Sequence, residues 1–570
     1  MSAPRIEAPQ LAHRVIDADA QRALCAAGVD PLLARLYAAR GVRTALEASF
    51  RLSQLPPPEA MKGMAAVAER LARAIRRQER LLIVADYDAD GATACAVGLR
   101  GLRSMGAQVG YLVPNRFRHG YGLTPEIVAL AAAESPSVII TVDNGIASVE
   151  GVAAARALGI DVIITDHHLP GPALPETPYI VNPNQPGCGF PSKAIAGVGV
   201  MFYVLIALRA RLRAEGAWRA TPEPDLNTLL DLVALGTVAD VVPLDWVNRR
   251  VVEAGLRRIR DGRAQLGVRA LFAVAERRPE YATTYDLGFI LGPRINAAGR
   301  LEDMRLGIEC LATEDAERAA EIAQRLDQLN QERRAIEADM RDEADRMVEA
   351  EIGPEQRSIV LMDSRWHQGV VGIVAGRLRE RWHRPAIVFA PGEGTELKGS
   401  GRSISGLHLR DALDLVAKRH PGLIMRFGGH AMAAGLTIVN ARFAAFARAF
   451  EAVARELVTE AMLARQIESD GSLPIEALDF ETARVLHRHV WGQAFPPPLF
   501  DDEFTVLDAR MVAMRHMKLR LKRKGRIFDA IRFGTTEPPP NPMRAAYRLN
   551  LSEWQGSERV DLVVEQWWAV

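Results

Sequence analysis

Three short apolar runs constrain the fold of this chain more than any other feature. LLIVAD (81–86), SVIITVDNG (137–145) and DVIITDHH (161–168) each read as a buried strand, and each meets an aspartate as its apolar run ends. Runs of this length, bounded by polar turns and followed by Ala-rich stretches such as GATACAVGLRGL, are the grammar of a parallel α/β sheet. A fourth apolar run, DLVALGTVAD, ends in Asp240 and is read the same way. In a parallel sheet such ends lie along one edge, where ligands bind. Four clusters distant in sequence are therefore expected to converge: Asp86-Tyr87-Asp88-Ala89-Asp90, Asp143, Asp166-His167-His168 and Asp240.

Aspartates and histidines without cysteine suit hard or borderline divalent cations such as Mn2+ or Mg2+. The four cysteines, Cys25, Cys95, Cys188 and Cys310, are scattered with no CxxC pair, which argues against a cysteine zinc site. So many carboxylates in one cleft would repel one another, and two divalent cations would neutralise them. Two metals about 3.5–4 Å apart activate a water and stabilise the leaving oxygen in phosphoester hydrolysis. Each cluster alone has a plainer reading. A lone strand-end aspartate caps a helix or sits in a turn; the DxDxD run resembles a calcium loop but lacks the Glu spacing of an EF-hand; paired histidines are common polar residues. All four together favour the metal.

The 570 residues suggest three to four domains, and 48% hydrophobic with 25% charged residues excludes a disordered or fibrous chain. No run of about 18 apolar residues occurs, and the N-terminus lacks an apolar signal core, so the expectation is a cytoplasmic protein that contacts no membrane. The segmentation read from the pattern is an N-terminal helical segment (1–60), a parallel-sheet domain (61–245), a helical extension of that lobe (246–312), a long connecting helix (313–353), a second α/β domain (354–460) and a C-terminal OB-fold-like β-barrel (461–570). The long helix takes Thr313 as its N-cap and joins two domains, with a coiled-coil dimer seam as the weaker alternative. MKLRLKRKGRIF (517–528) alternates apolar and basic residues before a Lys-Gly turn, as a barrel hairpin would.

At the metal constellation the sequence resembles the DHH phosphoesterase superfamily, named for the triplet Asp166-His167-His168, and within it the RecJ family of bacterial single-stranded-DNA exonucleases. VADYDADGATA, VPNRFRHGYGL (113–123), VDNGI, ITDHH, ALGTVADVVPL (234–244), GPRINAAGRLED (292–303), WHQGVVGIVAGRL (366–378), GSGRSI (399–404) and GGHAMAAG (428–435) follow that family's motifs in order. The resemblance implies a multidomain α/β fold. A DHH parallel-sheet domain and a DHHA1 α/β domain are joined by a long helix, with an OB-fold β-barrel after them. It implies a processive 5′→3′ exonuclease that releases mononucleotides from single-stranded DNA with Mn2+ or Mg2+ in recombination and repair, associated with the nucleoid when acting. Single-strand-binding protein and a RecQ-type helicase are the implied partners, and the chain is expected to act as a monomer.

By the same resemblance Asp86, Asp88, Asp90, Asp143, His167 and Asp240 hold two ions, with Asp143 as the bridge. His168 contacts the scissile phosphate, Asp166 orients its neighbours, and the nucleophile is a water rather than a side chain. Arg300, Ser400 and Arg402 match contacts to the terminal 5′-phosphate and the DNA backbone. Arg116, His119 and Tyr121 sit in a Gly-rich loop, where arginine suits phosphate and tyrosine suits a base. Asn296, His367 and His430 are further substrate-binding candidates, while Arg294 is alternatively a structural ion-pair partner. For an arginine beside a Gly turn the default is a solvated charge, and GGHAMAAG also fits a tight strand–helix turn.

The formal net charge is +1, so any nucleic-acid surface must be local. Residues 514–527 hold seven bases and no acid, while residues 313–350 hold twelve acids against six bases. Alternation places Lys518, Arg520 and Lys522 on one side of a strand. Trp491, Phe495, Trp567 and Trp568 suit either base stacking or core packing. Three rivals share parts of this pattern. A DHH phosphodiesterase of short oligonucleotides or cyclic dinucleotides needs no basic barrel, and neither does a pyrophosphatase. A catalytically dead DNA-binding scaffold would have eroded metal motifs.

Overall fold

The computed structural model describes residues 8–115, 121–353, 355–554 and 557–570. It divides into two compact units, one of residues 13–328 with 469–570, the other of residues 1–12 with 329–468. The first unit is built on a five-stranded parallel sheet in the order Gln108–Leu112, Arg80–Ala85, Val138–Val142, Asp161–Thr165, Ile180–Val181. Its central strands are apolar on both faces because helices cover both. Leu82, Val84, Ile139 and Ile164 pack with Ile127 and Val152 from helices Pro125–Ala132 and Val149–Ala157. On the other face Ile83 lies so close to Gly98 of helix Ala89–Ser104 that a Cβ there would sit 2.9 Å from its Cδ1.

The run ending in Asp240 is a correction. Residues Leu230–Ala239 form a helix with Asp240 as its C-cap, and no strand. An apolar run of ten residues is buried all round in either state, so its periodicity does not discriminate. The N-terminal segment holds the expected helices, Ala18–Ala26 and Pro31–Ala38, and a strand the pattern did not reveal, Gln10–His13, paired with Gln466–Ser469.

The long helix runs Ala316–Glu351, about 54 Å at 1.5 Å per residue. It begins later than Thr313, because the Asp315 carboxylate accepts the backbone N–H groups of Glu317 and Arg318 and acts as the cap. The division between the units falls within this helix. The second unit carries a mixed sheet ordered Arg426–Gly429, Ala433–Val439, Glu396–Arg402, Ala386–Pro391, Ile359–Met362, packed on helices that include Leu409–Arg419 and Phe443–Leu457. GGHAMAAG is a strand–strand hairpin in that sheet, instead of a strand–helix turn.

Residues Phe500–Ala569 form a closed five-stranded barrel. The expected hairpin pairs His516–Arg523 with Arg526–Phe533. Lys524 and Gly525 make its turn at positive φ, where glycine is unstrained. No helix of the described residues is long and apolar enough to cross a membrane.

Candidate metal centre

Three of the acidic clusters reach the site from strand ends and the fourth from a helix end. Past Arg80–Ala85 the chain turns through Asp86 and Asp88 into helix Ala89–Ser104. Asp88 Oδ1 caps that helix by accepting the N–H groups of Asp90 and Gly91 at 2.9 and 3.0 Å. The turn is close: a Cβ at Gly91 would lie 2.5 Å from the Asp86 carbonyl oxygen. Asp90 is buried and held from the opposite side by helix Gly197–Ala214, whose first N–H groups, from Gly197 and Val198, donate to its two oxygens at 2.6 and 2.9 Å. A helix N-terminus carries partial positive charge, which suits an anion there. Asp143 follows strand Val138–Val142 at φ 62, a left-handed conformation uncommon for a residue with a Cβ. Gly197 packs against it, since a Cβ at that position would fall 2.7 Å from the Asp143 side chain.

Asp166 organises the histidines. Its oxygens accept N–H groups from Ile146, His167 and His168, and His168 Nδ1 lies 2.8 Å from Oδ1. Two asparagines fix the same loop from below: Asn184 donates to the His167 carbonyl at 2.6 Å and Asn182 to the His168 carbonyl at 3.0 Å. Asn144 ties strand ends together by donating to the Val84 and Val142 carbonyls. Asn144 lies in the VDNGI motif, whereas Asn182 and Asn184 did not stand out in the sequence; the signal that could have found them is VNPN, a polar run directly behind an apolar dipeptide.

The ligand-type atoms form three overlapping groups, Asp86/Asp88/Asp143, Asp90/His167/Asp240 and Asp143/His167/His168, each with its atoms within 4.8 Å of one another. Asp143 and His167 each belong to two of them. His167 Nε2 lies 3.1 Å from Asp143 Oδ1, 3.5 Å from Asp240 Oδ2 and 4.0 Å from Asp90 Oδ2. Asp143 Oδ1, His167 Nε2 and Asp240 Oδ2 are all buried and none has a hydrogen bond among the described residues. Buried polar atoms without partners are costly and rare in native proteins. Three of them aimed at one space fit a cation between them.

The electrostatics agree. Burial, then the neighbouring carboxylate of Asp240, pushes Asp90 up to about 7. Burial and Asp88 push Asp240 to about 7. Asp143 is raised well above the usual carboxylate range by burial and by Asp90. His167 is lowered by burial, which favours the neutral ring that ligates metals. Burial opposes protonation of His168 as well, yet its hydrogen bond to Asp166 prevails and lifts it to about 9. Without cations, then, this cluster resists full ionisation at neutral pH.

Residues 80–237 match the DHH family, N-terminal domain, residues 355–457 the DHHA1 domain and residues 469–566 the RecJ OB domain. The chain is 48% identical over 551 residues to the single-stranded-DNA-specific exonuclease RecJ of Dickeya dadantii, an alignment covering 94% of this chain and 96% of that relative. This chain belongs to the RecJ family. The crystal structure of RecJ from Thermus thermophilus in complex with Mn2+ is similar to it with a TM-score of 0.82 at 30% identity, covering 98% of this chain and 79% of that one. The Mg2+ complex from the same organism gives 0.76 at 29% identity, covering 98% and 78%. RecJ structures thus hold Mn2+ and Mg2+, the ions that the oxygen and imidazole donors here suit.

The remaining candidates divide by location. Arg116 and His119 lie outside the described residues. The Tyr121 hydroxyl donates to the Asp143 carbonyl at 3.0 Å, lies 3.1 Å from His168 Nδ1, and its ring meets His168 edge-on. Asn296 accepts the Ala89 N–H at 2.9 Å and so braces the aspartate loop. Arg300 occupies the last turn of helix Gly292–Leu301, which presses on the same loop: a Cβ at Gly299 would lie 2.3 Å from the Tyr87 carbonyl oxygen. Arg294 pairs with Asp327 at 2.8 Å, the structural alternative.

The second unit holds Ser400 and Arg402 on one strand, with the Arg402 guanidinium donating to Ser400 Oγ at 3.1 Å. Burial, then neighbouring Arg379, lowers the Arg402 pKa; among the described residues no carboxylate pairs with it. Helix Val371–Trp382 begins against this pair, with Gly372 leaving no room for a side chain. His367 accepts the Gly369 N–H, and His430 is exposed in the hairpin loop.

On the barrel Lys518, Arg520 and Lys522 are exposed on one face, alternating with buried Met517, Leu519 and Leu521. The face is less purely basic than its own strand suggests. Asp508 and Asp529 stand opposite Arg520 in the flanking strands. Arg523 is committed to Asp502, and Arg526 to the Ile475 and Leu478 carbonyls. Trp491, Phe495 and Trp567 are buried.

Proposed function

We propose that this chain degrades single-stranded DNA from the 5′ end, releasing 5′-mononucleotides, with two Mn2+ or Mg2+ ions held by Asp86, Asp88, Asp90, Asp143, His167 and Asp240. The observation that carries the reading is the set of buried ligand-type atoms on Asp143, His167 and Asp240 that make no hydrogen bond among the described residues, in a chain of the RecJ family. Bound divalent ions supply Lewis acidity toward the phosphoryl oxygens and lower the pKa of a water.

The protein's own residues hold that chemistry in place. Asp143 and His167 each belong to two ligand groups, which supports Asp143 as the carboxylate that would be shared between two ions and His167 as the neutral imidazole that would ligate one of them. Asp166 fixes the His168 ring through Nδ1, which leaves the other ring nitrogen to donate to the scissile phosphate. Tyr121 closes over His168, and Asn296 keeps the aspartate loop from drifting. Arg300 contacts the DNA backbone. Arg402 and Ser400, a cation without a carboxylate partner among the described residues beside a hydroxyl, take the terminal 5′-phosphate, with His367 and His430 as further contacts. Lys518, Arg520 and Lys522 track the strand on the barrel.

The same reading assigns domains 1–60, 61–245, 246–312, 313–353, 354–460 and 461–570. It makes the chain a monomer of the cytoplasm that joins the nucleoid when acting, with single-strand-binding protein and a RecQ-type helicase as partners. An end-labelled time course tests it, on single- and double-stranded DNA and RNA of both end chemistries, with Mn2+, Mg2+ or chelator. Mononucleotides released from the 5′ end of single-stranded DNA, only with metal, are expected. Duplex degraded as fast as single strands would sink the specificity, and activity in chelator would sink the metal.

A further inference from the structure

One residue past Asp240 the chain does something unusual. Val241 adopts φ 63, a conformation that a β-branched residue avoids, and its side chain is 61% exposed. A second apolar exposure lies beside it. The segment Asp286–Leu291 is a π-helix, a rare wide turn that is frequent at functional sites. With its N-cap it presents Tyr285 at 56% and Phe289 at 71% exposure, their rings stacked 5.2 Å apart at 21°. Gly288 lets this segment lie on helix Leu230–Ala239: a Cβ there would fall 3.2 Å from Val238 Cγ1.

These three side chains border a cleft of about 680 Å3 whose far wall includes Trp491 from the segment preceding the barrel. That size lies within the roughly 300–1,000 Å3 of small-ligand clefts. The charged side chains lining it are Arg277 and Arg548, with two histidines and no carboxylate. Each arginine also pairs with a carboxylate that does not line the cleft, Arg277 with Asp286 at 2.8 Å and Arg548 with Glu565 at 3.0 Å. Single exposed apolar residues need no explanation, but three around one arginine-rimmed cleft mark a binding surface. A stacked aromatic pair with cationic neighbours is the chemistry that binds successive bases of a single strand, because every base has a π-face and every phosphate a charge.

We propose that Tyr285 and Phe289 form a base-stacking platform for the single-stranded DNA substrate, in the cleft that opens one residue beyond Asp240. The inference rests on the substrate reading above and adds a binding subsite outside the metal centre. The full-length protein in chelator, so that no hydrolysis intervenes, is titrated with 5′-phosphorylated oligonucleotides carrying a single 2-aminopurine at successive positions. Wild type is expected to quench the fluorophore at one or two neighbouring positions. Tyr285→Ala and Phe289→Ala each weaken binding about fivefold or more, the scale of one lost base stack, and the double variant abolishes the quench. Tyr285→Phe and Phe289→Tyr keep both affinity and quench, which separates stacking from folding, and with Mn2+ the alanine variants raise KM more than they lower kcat.

A double variant that binds and quenches like wild type overturns the platform. Equal protection of the quench by a free deoxynucleoside monophosphate overturns the assignment to the strand. A wild-type chain that binds no single-stranded DNA overturns both this and the substrate reading, whereas normal wild-type binding with an unaffected double variant overturns the platform alone.

Discussion

Two regions of the first unit bury aspartates, and they treat them in opposite ways. At the root of the barrel each carboxylate is answered. Asp470 takes two hydrogen bonds of 2.8 Å from Arg40, Asp501 is bound by Arg544 and Ser469, and Asp502 by Arg523, Ser472 and the Tyr547 hydroxyl. At the metal centre Asp90, Asp143 and Asp240 face one another and a histidine, and a buried oxygen of Asp143 and one of Asp240 accept no hydrogen bond among the described residues. The contrast separates a carboxylate that builds the fold from one that awaits a cation. Burial alone does not make the difference, because Asp90 and Asp143 are as buried as Asp470, Asp501 and Asp502. The sign of the charge opposite does.

Removing one member of each set should break that comparison in opposite directions. Asp143→Ala should lower hydrolysis by about 10²–10³-fold or more, at least the loss of one preorganised electrostatic group, while metal-free DNA binding survives. Retained turnover would remove Asp143 from the bridging position. The same substitution should leave the chelated protein at least as resistant to heat as wild type, because it removes a repelling charge. Asp502→Ala should instead destabilise the fold by about 3–5 kcal/mol by orphaning Arg523, read from urea melts.

Asn184→Ala sharpens the contrast within the site. It loosens the His167 loop without touching a ligand atom, and about a 10–100-fold loss in metal affinity or rate is expected, measured as the Mn2+ dependence of kcat. An unchanged dependence would make the asparagine merely structural.

The pH response follows from the raised carboxylates. In chelator, the folded pKa values of Asp90 and Asp240, about 7, stand above their unfolded ones, so the native state binds more protons. Their contribution to stability is present in acid and is lost as pH rises from about 4 through about 7. Thermal melts should show that loss in chelator and its reversal by Mn2+ at pH 7.5. The smallest effect belongs to the barrel face, where Lys518→Ala and Lys522→Ala should each reduce the salt slope of DNA binding by about 0.7, the value for one phosphate contact on a single strand.

The strand-end clusters were legible because a fully buried parallel strand leaves a short, unbroken apolar run with its acid at the end. Asp240 was legible as a site residue but not as a helix cap, since Leu230–Ala239 is apolar all round and has no period to read. The hairpin at Lys524-Gly525 announced itself through alternation and a glycine. What sequence could not display was cross-strand pairing: Asp508 and Asp529 temper Arg520 from strands read separately. The asparagines beneath the histidine loop were hidden for a related reason, because they act through backbone carbonyls, which carry no sequence signature.

The central claim is that the buried donors of the first unit hold divalent cations, and anomalous diffraction from crystals grown with Mn2+ tests it most directly. Two peaks are expected, both within coordination distance of the Asp143 carboxylate, one also beside Asp86 and Asp88 and the other beside Asp90, His167 and Asp240. A difference map with no anomalous peak among these residues at saturating Mn2+ would contradict it.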